Sequence, residues 1–190
     1  MSTSRTPNAD HEWLDRLNEE NKEFYAALGQ FMLAWSDVER SIGDVLVRYA
    51  KVSEPVGRAL FSGTRARTMM SFITAIAENT GMSAARKDDL AFIFAKVATL
   101  NTSRDRIAHH GSHASHTVQP ATLKRKVTNA KRSSRYTNEF VQFVGSEELK
   151  YSANECLGIC TALKQHLASG QFRRYYWPER TLIQKPKRSL

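Results

Sequence analysis

The chain has 190 residues, 41% of them hydrophobic and 25% charged, which is ordinary for a single globular domain with a substantial core. No apolar run is long enough to span a bilayer and the polar N-terminus lacks a signal-peptide layout, so the sequence predicts a cytoplasmic protein without a membrane segment. The net charge of +9 is large for this size and indicates attraction to phosphate or another anionic surface, although part of it can serve solubility alone.

The first long helix is the strongest structural signal. Residues 1–9 are polar and are predicted to be disordered. Apolar residues then recur in alternating steps of four and three: Phe24, Leu28, Phe31, Trp35, Val38, Ile42, Val45 and Tyr49. Such an uninterrupted line predicts a helix that packs along its whole length against partner helices, as in a bundle.

Two shorter helices are predicted next. The run Ser53-Glu54-Pro55 supplies a cap and an early proline for a helix that ends by Gly63. Another helix spans residues 64–80, and a glycine follows it as a stop signal. Its inward-facing residues are predicted to be Met69, Phe72, Ile73 and Ile76.

The next helix, capped by Ser83, carries the candidate functional residues. Its apolar line is Leu90, Ile93, Val97 and Leu100. The same line continues to Arg104, so an arginine occupies a position that should face the core. Burying an unpaired guanidinium costs several kcal/mol or more, so Arg104 requires an anion or a set of acceptors nearby.

The end of this helix brings titratable residues together. Asp105 and His109 are four positions apart, so the carboxylate could hold one ring nitrogen and leave the other free. Gly111 marks the helix end, which places His109 and His110 in the last turn.

The run Arg104-Asp105-x-x-x-His109 resembles the signature of the HEPN superfamily of helical domains, over about residues 20–170. Many members of that superfamily are metal-independent endoribonucleases, and they pair two motif helices across a two-fold axis to form one cleft. The resemblance implies an all-α fold, a HEPN-like bundle of four to five helices within residues 10–170. It also implies RNA as substrate, a homodimer formed through the motif helix, and no metal or cofactor.

Site roles follow from the resemblance. Arg104 would hold the phosphate and His109 would transfer protons, while Asp105 would orient His109. Glu39, on the first long helix, best matches the acidic residue that faces the motif arginine in HEPN domains. The resemblance leaves open a toxin–antitoxin or antiviral defence context, with an antitoxin or regulatory protein as a further partner.

A non-catalytic interpretation competes with this one. Arg104 could hold two helices together and His109 could cap a helix end. The chain would then be a non-catalytic module with the same helical bundle that binds nucleic acid or protein. Five positions on an ideal helix also separate two side chains by about 140°. Arg104 and His109 therefore converge only if the helix unwinds near Ala108 or if two copies of the motif meet in a dimer.

Residues 112–145 change in character and predict an inserted β-hairpin between the last two long helices. Two β-leaning runs, 123–127 and 136–144, flank a polar stretch. Basic residues concentrate at the predicted tip, where they would bind RNA phosphates: Lys124, Arg125, Lys126, Lys131, Arg132 and Arg135.

A last long helix is predicted from Ser146 to Gly170, and residues 171–190 form a basic, aromatic tail. Cys156 and Cys160 lie four apart on the apolar line of this helix and are predicted to be buried thiols rather than a disulfide or a metal pair.

Four histidines lie within residues 109–116 and permit a zinc site as an alternative. No carboxylate or thiolate accompanies them in that run, so the preferred prediction is that there is no metal.

Overall fold

The computed structural model describes residues 7–110, 112–113, 125–129 and 140–169. Within these ranges the chain forms five α-helices, which confirms the predicted all-α class. The helices are α1 (Pro7–Ala50), α2 (Glu54–Phe61), α3 (Ala66–Asn79), α4 (Ala84–His110) and α5 (Ser146–Ser169). None of the helices in the described ranges combines the length and the apolar character that crossing a membrane requires.

Helix α1 begins earlier than the sequence predicts. Residues 7–9, assigned above to a disordered N-terminus, form its first turn, where proline is well tolerated because its fixed φ suits a helix start. Six of the eight residues on the predicted apolar line are buried, with Phe31, Trp35 and Ile42 each exposing 1% or less of their surface, while Leu28 and Tyr49 are half-buried. This burial anchors the helix, since propensity alone rarely stabilises one.

The bounds of α2 and α3 follow the predicted start and stop signals. Ser53 takes the extended N-cap conformation before α2, although its side chain makes no capping hydrogen bond. Gly63 and Gly81 follow the two helices with φ of +75° and +67°, a region that glycine adopts without steric cost. Phe72 is 45% exposed, so its predicted inward orientation is wrong: the buried face of α3 is centred on Ala66, Met69, Ile73 and Ala77 instead.

Three short strands lie in the stretch for which a hairpin is predicted. They are β1 (Ser112–His113), β2 (Arg125–Asn129) and β3 (Phe140–Val144), and they form an antiparallel sheet in that order. Arg125 pairs with Val144 at one end of β2 and Asn129 pairs with Phe140 at the other. The connection between β2 and β3 falls outside the described residues, so the hairpin insertion itself stays a prediction.

The described residues divide into two compact units. The first takes those within Met1–Ser36 and Thr99–Asn154, and the second takes those within Asp37–Ala98 and Glu155–Leu190. Each of the three long helices contributes residues to both units.

The second unit contains α2, α3 and parts of the three long helices. Lys96 on α4 and Glu155 on α5 form an ion pair at 3.8 Å, with Glu155 largely buried. Cys156 and Cys160 are buried and unbridged, as predicted, and burial raises the pKa of the Cys156 thiol to about 12. Both thiols are therefore uncharged near neutral pH and behave as small apolar groups.

Substitution by alanine at two helical glycines should change the stability of the protein in opposite directions. Gly29 on α1 faces open space, so Gly29→Ala should stabilise the protein by about 0.5–1 kcal/mol through reduced chain entropy. A Cβ at Gly57 on α2 would overlap the Val47 side chain, so Gly57→Ala should destabilise it by about 1–3 kcal/mol despite the same entropic gain. Urea unfolding of both variants beside the parent protein measures the two changes. Equal effects at the two positions would contradict the packing described for α2.

Candidate active site

Helix α4 carries an apolar line into the core and ends it with an arginine. Leu90, Ile93, Val97 and Leu100 are at most 5% exposed. Arg104, the next position on that line, keeps 28% of its side chain exposed. Its aliphatic stem therefore follows the buried face while part of its charged head reaches solvent.

Asp105 supplies the anion that Arg104 requires. The Arg104 guanidinium donates from Nη1 to Asp105 Oδ1 at 2.9 Å, and the Asn101 amide donates from Nδ2 to Asp105 Oδ2 at 3.1 Å. Asn101 and Asp105 are one turn apart and face each other, whereas adjacent helical residues do not. The long arginine side chain must therefore bend around the helix to reach Asp105, and Asn101 fixes the carboxylate that receives it.

One donor of Arg104 has no acceptor among the described residues. Its Nε is buried and makes no hydrogen bond within the described part of the chain. A buried donor without a partner costs about 1–3 kcal/mol, so this N–H favours any acceptor that can reach it. The guanidinium is thus steadied through Nη1 while its Nε edge, which suits bidentate binding of an oxyanion, still lacks an acceptor.

The backbone of α4 decides between the two ways in which Arg104 and His109 could converge. The helix continues without a break to His110, so it does not unwind near Ala108. Positions 104 and 109 therefore stay about 140° apart around one helix. A shared site for the two residues then requires a second copy of α4, although the side chains of His109 and His110 lie outside the described part of the structure.

Two carboxylates, Asp105 and Glu39, are predicted to support the site. Asp105 already accepts one hydrogen bond at each oxygen, and each oxygen keeps a further lone pair, so its predicted contact with His109 stays a prediction. Glu39 is half-buried on α1 and belongs to the second unit, whereas Arg104 belongs to the first. The predicted pairing of Glu39 with Arg104 also stays a prediction.

The structure describes only some of the predicted RNA-binding residues. Arg125 and Lys126 belong to strand β2, and their side chains lie outside the described part. The other four, Lys124, Lys131, Arg132 and Arg135, are outside the described residues altogether.

The metal alternative concerns a turn that is mostly outside the described residues. Among the residues whose side chains are described, no group of three or more His, Cys, Asp or Glu residues is placed to hold a metal ion. The histidine-rich run after position 108 contributes no described side chain, so the zinc alternative stays untested.

The sequence interpretation missed a second polar cluster, in the second unit. Tyr49, Arg86 and His166 contact one another there, and His166 is fully buried. The signal was present in the sequence, because Ile159, Leu163 and His166 fall at steps of four and three. A single histidine on an apolar line needs a hydrogen-bond partner. Tyr49, the last residue on the apolar line of α1, carries a hydroxyl that can be this partner.

Comparison of the chain with known protein families, with curated proteins and with solved structures found no match in any of the three.

The position of Arg104 predicts little effect on stability when its charge is removed. The ion pair with Asp105 is partly exposed to water, and such pairs contribute about 0–1 kcal/mol. Arg104→Gln should therefore shift the free energy of unfolding by no more than about 1 kcal/mol, as measured by urea unfolding. A loss of several kcal/mol would instead show that Arg104 mainly holds the helices together.

Proposed function

We propose that the chain is a metal-independent endoribonuclease with a HEPN-like site, in which Arg104 binds the phosphate at the cleaved bond. The observation that carries this proposal is the state of the Arg104 side chain. The side chain is partly exposed, its orientation is steadied by Asp105, and its buried Nε donor lacks an acceptor among the described residues. A phosphoryl oxygen is the kind of acceptor that such a guanidinium edge binds most specifically.

RNA brings its own nucleophile, so the chemistry asked of the protein is limited. An imidazole of His109 takes the proton from the 2′-OH, and the 2′-oxygen then attacks the adjacent phosphorus. The bond from phosphorus to the 5′-oxygen breaks, and a proton passes to that oxygen as it leaves. Arg104 stabilises the charge that gathers on the phosphoryl oxygens in between. The products are a 2′,3′-cyclic phosphate and a free 5′-hydroxyl.

The two proton transfers fit a dimer better than a single chain. Since α4 is one continuous helix, Arg104 and His109 of the same chain do not share a helix face. Two α4 helices that pair around a two-fold axis would bring two copies of each residue to one cleft. One His109 would then act as base while the other acts as acid, because imidazole titrates near neutral pH.

Two carboxylates complete the proposed site. Asp105, which is fixed by Asn101, keeps the Arg104 head in place and would also orient His109. Glu39 would steady Arg104 from α1. The resemblance alone supports a cytoplasmic role in toxin–antitoxin or antiviral systems, with an antitoxin or regulatory protein as a further partner.

The chemistry predicts a defined set of kinetic results. RNA cleavage should proceed in EDTA and leave a 2′,3′-cyclic phosphate, and an all-deoxyribose oligonucleotide should stay intact because it lacks the nucleophile. His109→Ala and Arg104→Ala should each lose about two to four decades of rate, the range for an acid–base group or a main charge stabiliser. His110→Ala is the matched control, since it lies about 100° around the helix from His109 and should lose less. Product analysis and initial rates with purified protein give the measurement.

A mixing experiment tests the composite site. In an equal mixture of parent protein and His109→Ala, about a quarter of the dimers carry two intact His109 copies, so a cleft that needs both should leave about a quarter of the parent rate. If each chain supplies its own pair, half of the sites stay intact and the rate should fall only to about half. A purely monomeric protein in sedimentation, or activity that vanishes in EDTA and returns with zinc, would contradict the proposal. RNA binding without any cleavage would support the non-catalytic alternative.

The predicted basic tip should provide RNA affinity without chemistry. Neutralising Lys124, Arg125, Lys126, Lys131, Arg132 and Arg135 should weaken binding and flatten its salt dependence, because fewer counterions are released from the RNA. Equilibrium binding at several salt concentrations measures both effects.

The control removes the same charge from exposed residues elsewhere: Lys22, Arg40, Arg58, Arg65, Arg67 and Lys164. An equal loss of affinity in both variants would show that net charge matters and the location of the charge does not.

A further inference from the structure

Three helices of the second unit meet at one buried histidine. His166 on α5 is fully buried, and its Nε2 lies 2.5 Å from the Tyr49 hydroxyl on α1. Arg86 on α4 donates from Nη2 to the same hydroxyl at 3.3 Å, and its guanidinium carbon lies 6.0 Å from the Tyr49 ring centroid. We call Tyr49, Arg86 and His166 the clasp.

The hydrogen bonds of the clasp assign the protons. Because Arg86 can only donate, the Tyr49 oxygen accepts from it, and the hydroxyl proton is then free to point at His166 Nε2. In this arrangement His166 is neutral and carries its own proton on Nδ1. That Nδ1 is buried and has no partner within the described part of the chain, and the same holds for Arg86 Nε.

The charges around the ring favour this neutral form. Burial lowers the pKa of His166, and the nearby Arg86 guanidinium lowers it further. Asp89, a buried carboxylate on α4, acts in the opposite direction. Among the described residues of α1, Tyr49 contacts the ring through its hydroxyl; burial raises the pKa of Tyr49, so the phenol stays protonated and able to donate. An imidazolium would gain no new hydrogen bond at Nδ1, for which the described residues offer no acceptor.

We propose that the clasp is an acid-sensitive latch that holds the C-terminal part of α5 against α1 and α4 within the second unit. Protonation of His166 removes the acceptor on which the Tyr49 hydroxyl depends and sets a second cation beside Arg86. The contacts of Tyr49 with His166 are then lost, and the end of α5 opens locally. This device does not depend on the proposed RNA cleavage.

The direction of the pH effect follows from the lowered pKa of His166. The unfolded or opened chain takes up a proton near pH 6.5, the ordinary value, whereas the closed form does so only at lower pH. The contribution of the clasp to stability is therefore complete above about pH 6.5 and is lost as the pH falls below it.

The first experiment follows His166 directly in the full chain. Ring nitrogen–proton NMR spectra report the tautomer and the titration, and the His166 signals are identified by their absence in His166→Gln. The expected result is a ring protonated on Nδ1 at neutral pH that titrates below an ordinary histidine. Amide hydrogen exchange within residues 160–169, corrected for its intrinsic pH dependence, should accelerate as the pH falls. Titration at or above the ordinary value, or protection unchanged by acid, would overturn the proposal.

Matched variants give the second experiment, read as the loss of urea-unfolding midpoint between pH 7.5 and pH 5. His166→Gln keeps an acceptor for Tyr49 and cannot titrate, so its acid-induced loss should be smaller than that of the parent protein. Arg86→Gln should reduce the loss and Asp89→Asn should increase it, because they remove charges of opposite sign near the ring. Equal losses in the parent protein and all three variants would overturn the proposal. If a variant does not fold, the titration of the parent protein still decides.

Discussion

Burial of one apolar line along α1 is the constraint on which the rest of the structure depends. Phe24, Phe31 and Trp35 of that line lie in the first unit, and Val38, Ile42 and Val45 lie in the second, all at 4% exposure or less. Each such side chain removes enough apolar surface from water to contribute about 1.5–3 kcal/mol. Since backbone ordering costs a comparable amount for each residue, the helices persist only because the line is covered along its length.

Two polar side chains lie on the apolar faces of these helices and need hydrogen-bond partners there. Arg104 and His166 both occupy positions that the spacing of their helices would give to an apolar residue. Arg104 meets the demand by donating to Asp105, whose carboxylate also accepts from Asn101, and His166 meets it with Tyr49. Each still carries one buried nitrogen without an acceptor among the described residues. We propose that the first group responds to an external oxyanion and the second to a proton.

The continuity of α4 constrains function as well as fold. A helix that ran into a turn near Ala108 could have brought a histidine back toward Arg104 in the same chain. The observed helix continues to His110, so α4 contains no such turn and positions 104 and 109 lie on different faces of it. For this reason we propose that chemistry using both residues needs two copies of α4, while phosphate binding by Arg104 would not.

The sequence by itself determined the helical class, the apolar lines of α1, α4 and α5, and the position of Arg104 at the end of a buried stripe. The reason is that the spacing of apolar residues shows which face of a helix is buried. Only the tertiary structure decided that Asp105 and Asn101 together hold Arg104, that Phe72 points to solvent, and that Tyr49, Arg86 and His166 meet. Residues 49, 86 and 166 lie far apart along the chain, and local periodicity carries no information about which helix faces which. The start of α1 at Pro7 was missed for a related reason: a polar first turn has no apolar line to report it.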